Sequence, residues 1–262
     1  MALKQLPAYV SLAGVACFLA PGSLARICAH PTTVNSMSKS PGYLSNIEVT
    51  SRFLTADFVP DGNLTKPEWS HAHRIRFDHN WAGNLHDPEA ATEVASLWSK
   101  RYIYFAYWCR YSTLNLYSGK DPSKDFWGLW ERDVVEVFIN PQPQHMNHYY
   151  EFEVAPNNLW IDLEINLDRK PFNDAGWNSG FEHVTRIAAA RHEWTCEMRI
   201  PIPAIAGAHH TPSPGEEWRI NFFRADGEGD NEQRRLLAWS PVPGEKPNFH
   251  VPSRFGIIRF VN

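Results

Sequence analysis

Apolar and polar positions alternate with a period of two through much of the chain after residue 50, and the alternation is clearest in two neighbouring runs. In Val135-Glu136-Val137-Phe138-Ile139 the aliphatic residues Val135, Val137 and Ile139 fall on one face and Glu136 and Phe138 on the other. In the next run Tyr150, Phe152 and Val154 share a face while Glu151 and Glu153 share its reverse. Two adjacent strands are therefore expected to offer carboxylates and a ring on a common surface. The same reading predicts strands at Ser51 to Phe53, Arg74 to Phe77, Ala91 to Leu97, Ile103 to Cys109, Val134 to Ile139, Tyr149 to Val154 and Trp160 to Glu164. It continues with His183 to Ile187, Trp194 to Ile200, Trp218 to Arg224, Leu236 to Ser240 and Phe255 to Phe260, and finds one helical turn around Pro203 to Ala208. Short strands with 20 Pro and 15 Gly among them predict an all-β fold, an antiparallel, jelly-roll-like β-sandwich with long loops and at most short helical turns.

Length and composition bear on how many such units there are. A chain of 262 residues, 43% hydrophobic and 13% aromatic, can bury a large core, and an all-β unit of about 200 residues counts as one domain. We assign residues 50–262 to that domain and 31–49 to a linker. Residues 1–30 read as a secretory signal, with Lys4 ahead of an apolar run from Leu6 to Ala20, a Pro21-Gly22 break and small residues at Ser23-Leu24-Ala25; the alternative is a disordered N-terminal segment. A secreted or periplasmic protein is expected, with no membrane span in its mature chain. The net charge of −4, with Lys and Arg scattered, gives no basic stripe for nucleic acid. Cys109 and Cys196, each inside a predicted strand, form either one disulfide or two buried thiols.

Candidate chemistry gathers around the two alternating runs. A carboxylate accepts hydrogen bonds from vicinal hydroxyls and a flat indole covers the C–H face of a pyranose, so Trp130 with Glu136, Glu151 and Glu153 points to a saccharide site. The loops Ser118 to Gly128 and Pro241 to Pro252 are long enough to rim it. Trp127 and Arg224 are added as candidates by their positions near the same surface.

Trp130-Glu131-Arg132-Asp133-Val134-Val135-Glu136 reproduces a W-E-x-D-x-V-E signature, and in this the chain resembles carbohydrate-binding module family 9. Collinear pieces extend the resemblance over roughly residues 50 to 262. They are Asp61-Gly62 with Trp69, Val94 to Phe105, Trp194 to Ile200 with Pro201, Arg219 to Phe222, and Trp239 with Pro252 to Phe260. The resemblance implies non-catalytic binding of a poly- or oligosaccharide, in support of extracellular carbohydrate breakdown or capture, beside a partner glycoside hydrolase. It also implies an aromatic clamp: one of the family's two tryptophans maps onto Trp130 and the other falls at Phe249. The family's acidic contact maps onto Glu136, and a family arginine falls at Glu153, where a donor has become an acceptor.

Two other classes compete with a binding module. Glu136 with Glu151 or Glu153 could serve as the acid and nucleophile of a glycoside hydrolase, which needs carboxyls about 5 Å apart when it retains configuration. Related DOMON-like sandwiches hold haem, and His145-Met146 lies between the two key runs. No cofactor is required by the binding reading. Structural calcium is compatible with the resemblance, and the acidic turn Asp226, Glu228, Asp230 and Glu232 offers loop oxygens for it.

Overall fold

The computed structural model describes residues 42–207, 209–227 and 234–262. The expected signal at 1–30, the linker up to residue 41 and the acidic-turn residues Glu228, Asp230 and Glu232 lie outside them. The first half of the fold comprises β1 (Glu48–Phe53), α1 (Pro67–Ser70), β2 (Arg74–Phe77), β3 (Thr92–Trp98), β4 (Tyr102–Arg110), β5 (Val134–Asn140) and β6 (His148–Val154). It continues with β7 (Trp160–Asn166), β8 (Asn173–Asp174), β9 (Glu182–Ala188), β10 (Glu193–Pro201), α2 (Ile202–Ala206), β11 (Glu217–Asp226), β12 (Arg235–Ala238) and β13 (Gly256–Val261). The helices are a single turn each, and the all-β expectation holds.

The strands follow one hydrogen-bonded path, β8-β7-β6-β5-β11-β13-β1-β3-β4-β10-β9, with β12 beside β11 and β2 beside β3. The path curls so that its two halves face each other as a β-sandwich. Between them lies the main core, where Val135, Val137, Ile139, Phe152 and Phe222 meet Phe105, Tyr107, Cys109, Cys196 and Met198. The fold is not wholly antiparallel: β1 runs parallel to both β13 and β3. It also begins at Glu48, inside the expected 31–49 linker. Nothing local in a short strand encodes its partner, so the parallel seam is a product of the long connections. Cys109 and Cys196 are two free, buried thiols in the core, the second of the two alternatives, and burial pushes Cys109 up to about 12.

Both outer faces of the sandwich are covered by loops. On the β3–β4–β10 side, Leu64 and Trp69 close over Ala95, Leu97, Tyr104 and Ala106. On the β5–β6–β7–β11 side, Phe138, Tyr149, Leu163, Phe223 and Ala225 form an apolar floor against which Trp130 and Phe249 pack. Gly256 at the start of β13 explains the pairing of Trp239 with Pro-Ser-Arg-Phe-Gly: a Cβ there would stand 2.6 Å from the Trp239 ring and 2.8 Å from the Ile47 carbonyl oxygen. Only glycine permits so close an approach.

Candidate functional site

The two alternating runs become neighbours in register, with Glu136 opposite Glu153 and Phe138 opposite Glu151. Because side chains alternate across a strand, this register sends all four to the outer face while Val135, Val137, Phe152 and Val154 go to the core. There they line a cleft of about 290 Å³, walled by Trp130, Phe172, Phe249 and His250 and floored by Phe138, Leu163, Ala225 and Leu236. Trp130 reaches the rim from a 3-10 turn, Leu129–Glu131, that follows Gly128 in the left-handed region (φ 86°). The turn is pinned from below, since the Trp130 carbonyl accepts a hydrogen bond from Arg234 Nη1 at 2.7 Å. Asp133 accepts from the backbone N–H groups of Gly227 (2.7 Å) and Asn115 (3.1 Å), and burial raises its carboxyl to about 6. Four members of the Trp-Glu-x-Asp-x-Val-Glu run thus have distinct places: the Trp130 ring on the rim, Asp133 as anchor beneath it, Val135 in the core and Glu136 in the cleft.

Glu136, Glu151 and Glu153 are 2%, 3% and 0% exposed, and a carboxyl oxygen from each lies within 4.8 Å of the others. No donor among the described residues reaches either oxygen of Glu153 or Oε2 of Glu151. Desolvation first, and then repulsion from Glu151, holds the Glu136 carboxyl well above the usual range, against the pull of Arg234. Glu153 is raised in the same way, by burial and then by repulsion from Glu136 and Glu151. His250 Nε2 stands 4.0 Å from Glu151 Oε2, beyond hydrogen-bond reach, and its Nδ1 is bonded to the Tyr149 hydroxyl at 2.8 Å. A buried trio of acids with spare acceptor capacity, bordered by rings, can receive hydrogen-bond donors or positive charge from a ligand.

The structure brings together Trp130, Glu136, Glu151, Glu153 and Phe249. Phe249 lies face to face on Phe223, with centroids 4.1 Å apart and planes at 12°. Trp127 is 54% exposed and meets Trp130 edge-on at 4.9 Å, outside the cleft lining. Arg224 is a correction: it is wholly buried on the core side of β11, with Nη2 2.5 Å from Asp226 Oδ1 and its guanidinium over the Trp194 ring. It shares that face with Ile220 and Phe222, while Phe223 and Ala225 point to the outer side, where Ala225 lines the cleft and Phe223 lies under Phe249. Sequence reasoning missed Arg234, His250, Phe172 and Asn173, which also line the cleft. All four stand in or beside loops, where no periodicity marks which side chain turns inward.

Sites proposed for other chemistries sit elsewhere. His145 is exposed on a polar hollow with Gln142, Gln144 and Asn147, and Met146 packs against Gly42. Asp226, the described acid of the supposed calcium turn, is already engaged by Arg224 and Arg235. Among the described residues no helix is long and apolar enough to cross a membrane.

Comparisons with known proteins agree with this fold. A protein of Bacteroides uniformis has a similar fold, with a TM-score of 0.66 at 19% identity, over 82% of this chain and all of that one. A carbohydrate binding module family 9 of Caldicellulosiruptor kristjanssonii, solved with cellotriose, gives 0.56 at 16% identity over 82% of this chain and 94% of its own. An extracellular protein of Arthroderma benhamiae is 31% identical over 144 residues, 51% of this chain and 63% of that protein. Endo-1,4-beta-xylanase A of Thermotoga maritima is 25% identical over 87% of this chain and 19% of its own length. The matches thus span less than two thirds of either of these relatives. Residues 60–262 match the family described as carbohydrate family 9 binding domain-like, a span that holds every strand from β2 to β13 and both rims of the cleft, and the chain belongs to that family.

Proposed function

We propose that this protein binds a saccharide without cleaving it, in the cleft between Trp130 and Phe249, with Glu136, Glu151 and Glu153 receiving polar hydrogens of the ligand. The observation that carries the reading is the placement of buried, partly unpartnered carboxylates at the base of an aromatic-rimmed cleft in a member of this family. Rings cover the apolar C–H face of a sugar and are worth about 0.5 to 1.5 kcal/mol each. Hydrogen bonds from hydroxyls to a carboxylate add about 1.5 to 3 kcal/mol, against the loss of translational and rotational freedom. Micromolar to millimolar affinity is the expectation. A role outside the cell, in capture of polysaccharide or beside a glycoside hydrolase, is part of the proposal; it draws support from the extracellular and xylanase relatives.

Isothermal titration calorimetry of the full chain against mono- and oligosaccharides, with Trp130→Ala as control and a reducing-sugar assay in parallel, tests it. Saturable heat lost in Trp130→Ala, with no sugar released, is expected. A second reading, hydrolysis, draws on the same trio, because oxygens within 4.8 Å of one another approach the separation of a retaining pair. Sugar release abolished by Glu136→Gln would favour it and sink the binding-only reading.

A further inference from the structure

We propose that the sugar this cleft takes is an amino sugar, its protonated amine seated among Glu136, Glu151 and Glu153 and its ring against Trp130 and Phe249. The inference rests on the saccharide reading above and names the class of sugar. Three carboxylates from two adjacent strands converge at one point, with an oxygen of each within 4.8 Å of the others. Both oxygens of Glu153 and Oε2 of Glu151 are buried without a donor. An orphaned buried acceptor costs free energy that a ligand recovers by supplying the missing proton donor. A sugar hydroxyl brings one proton and no charge, whereas an alkylammonium brings three N–H donors and a full positive charge. Three acids offering one oxygen each match that donor count, and the ammonium charge takes the place of the protons that burial and mutual repulsion favour on Glu136 and Glu153.

Charge points the same way. The cationic groups that face the trio are Arg234 and, when protonated, His250, whose Nε2 is 4.0 Å from Glu151 Oε2. Against three acids they leave the base of the cleft acceptor-rich, and apolar walls strengthen any ion pair made there. A hard metal ion fits less well. Calcium takes six to eight oxygens, and beyond the trio the cleft lining offers side-chain oxygens only from Asn173 and Asn248. The space, about 290 Å³, is also that of a ring and not of an ion.

Calorimetry of the full-length protein at about pH 6, below the range of about 7.7 to 8.0 for an α-amino group, tests this. The titrants are glucosamine and its β-1,4-linked dimer, glucose and cellobiose, N-acetylglucosamine, and calcium chloride. We expect the amino sugars to bind at least tenfold more tightly than their neutral counterparts, and the preference to fall below about threefold in Glu153→Gln, which keeps the side chain's shape. Glu151→Gln serves if the first variant does not fold, and in the wild type the preference should shrink at high salt. Equal or better binding of glucose, cellobiose or N-acetylglucosamine overturns the cationic ligand and leaves the saccharide reading standing. Calcium binding without any sugar binding, or no heat from any titrant, overturns both.

Discussion

Glu197 and Glu153 are both fully buried, on opposite outer faces of the same sandwich, and they are treated in opposite ways. Glu197 Oε1 accepts from Trp69 Nε1 at 2.7 Å, and Oε2 from the backbone N–H groups of Asp61 (2.8 Å) and Gly62 (2.9 Å). Lys66 Nζ completes its shell at 2.8 Å. Neither oxygen of Glu153 has a donor, and two further carboxylates crowd it. A saturated buried acid fastens a loop, because every group that satisfies it is fixed by doing so. A buried acid without donors costs stability, which a ligand supplying the missing donors would recover. The Asp61-Gly62 and Trp69 motif therefore serves the fold, whereas the Trp130 to Glu136 motif serves the cleft.

The largest expected effect lies on the saturated face. Glu197→Ala strands a buried indole N–H, two backbone donors and Lys66, and should cost about 3 to 5 kcal/mol of unfolding free energy, read from the urea midpoint. It should leave the saccharide affinity of the folded fraction unchanged. A loss below about 1 kcal/mol would mean that the two acids are not different in kind.

On the open face the order reverses. Trp130→Ala should weaken saccharide binding by at least tenfold in calorimetry, since it removes one side of the ring contact, while the ring's half-exposed position keeps its stability cost to about 1 to 2 kcal/mol. A variant that loses stability and keeps affinity would place Trp130 with Glu197 as a structural residue.

The acids of the cleft should also mark the stability curve. Folding raises the carboxyl pKa of Glu136 and Glu153 above the ordinary 4.5, so between that value and the raised ones the native state holds more protons than the unfolded state. Their protonated form is the better tolerated, so stability is fully present below 4.5 and is lost as pH rises through the raised values. The slope is at most about 1.4 kcal/mol per pH unit for each proton. Glu153→Gln should flatten this decline and raise the unfolding midpoint at pH 8, opposite in sign to Glu197→Ala. A decline that persists unchanged in Glu153→Gln would assign it to other groups.

Much of the open face was legible because strand alternation is a local property. Val135, Val137 and Ile139 separate from Glu136 and Phe138 by it, and so do Phe152 and Val154 from Glu151 and Glu153. The misplacement of Arg224 shows the rule's force, since Ile220 and Phe222, four and two residues earlier, already mark its face as the core. Its burial beside Asp226 needs a partner from the same strand, which proximity in sequence could have suggested. Phe172, His250 and Arg234 were out of reach because a loop side chain's direction is set by what the loop packs on. The parallel seam at β1 was equally hidden: its partners, Ile257 to Val261 and Ser96 to Trp98, are distant in sequence. The saturation of Glu197 likewise depends on a segment more than a hundred residues away.

Trp127 gives the smallest and most discriminating effect. Its position near the same surface made it a candidate, and the structure keeps it outside the cleft lining, edge-on to the Trp130 ring with planes at 83°. Its expected contribution to binding is therefore indirect, by limiting the orientations of the Trp130 indole before ligand arrives. An edge-to-face pair is worth about 0.5 to 1.5 kcal/mol, and only the part that restrains the bound orientation reaches the ligand. Trp127→Ala should accordingly weaken saccharide binding about two- to fivefold in calorimetry, much less than Trp130→Ala, with the unfolding midpoint nearly unchanged. A double variant should bind no worse than Trp130→Ala alone, because an indole that has been removed has no orientation left to restrain. A loss that adds in full would instead require Trp127 to touch the ligand itself, and would extend the binding surface beyond the cleft along the loop from Ser118 to Gly128.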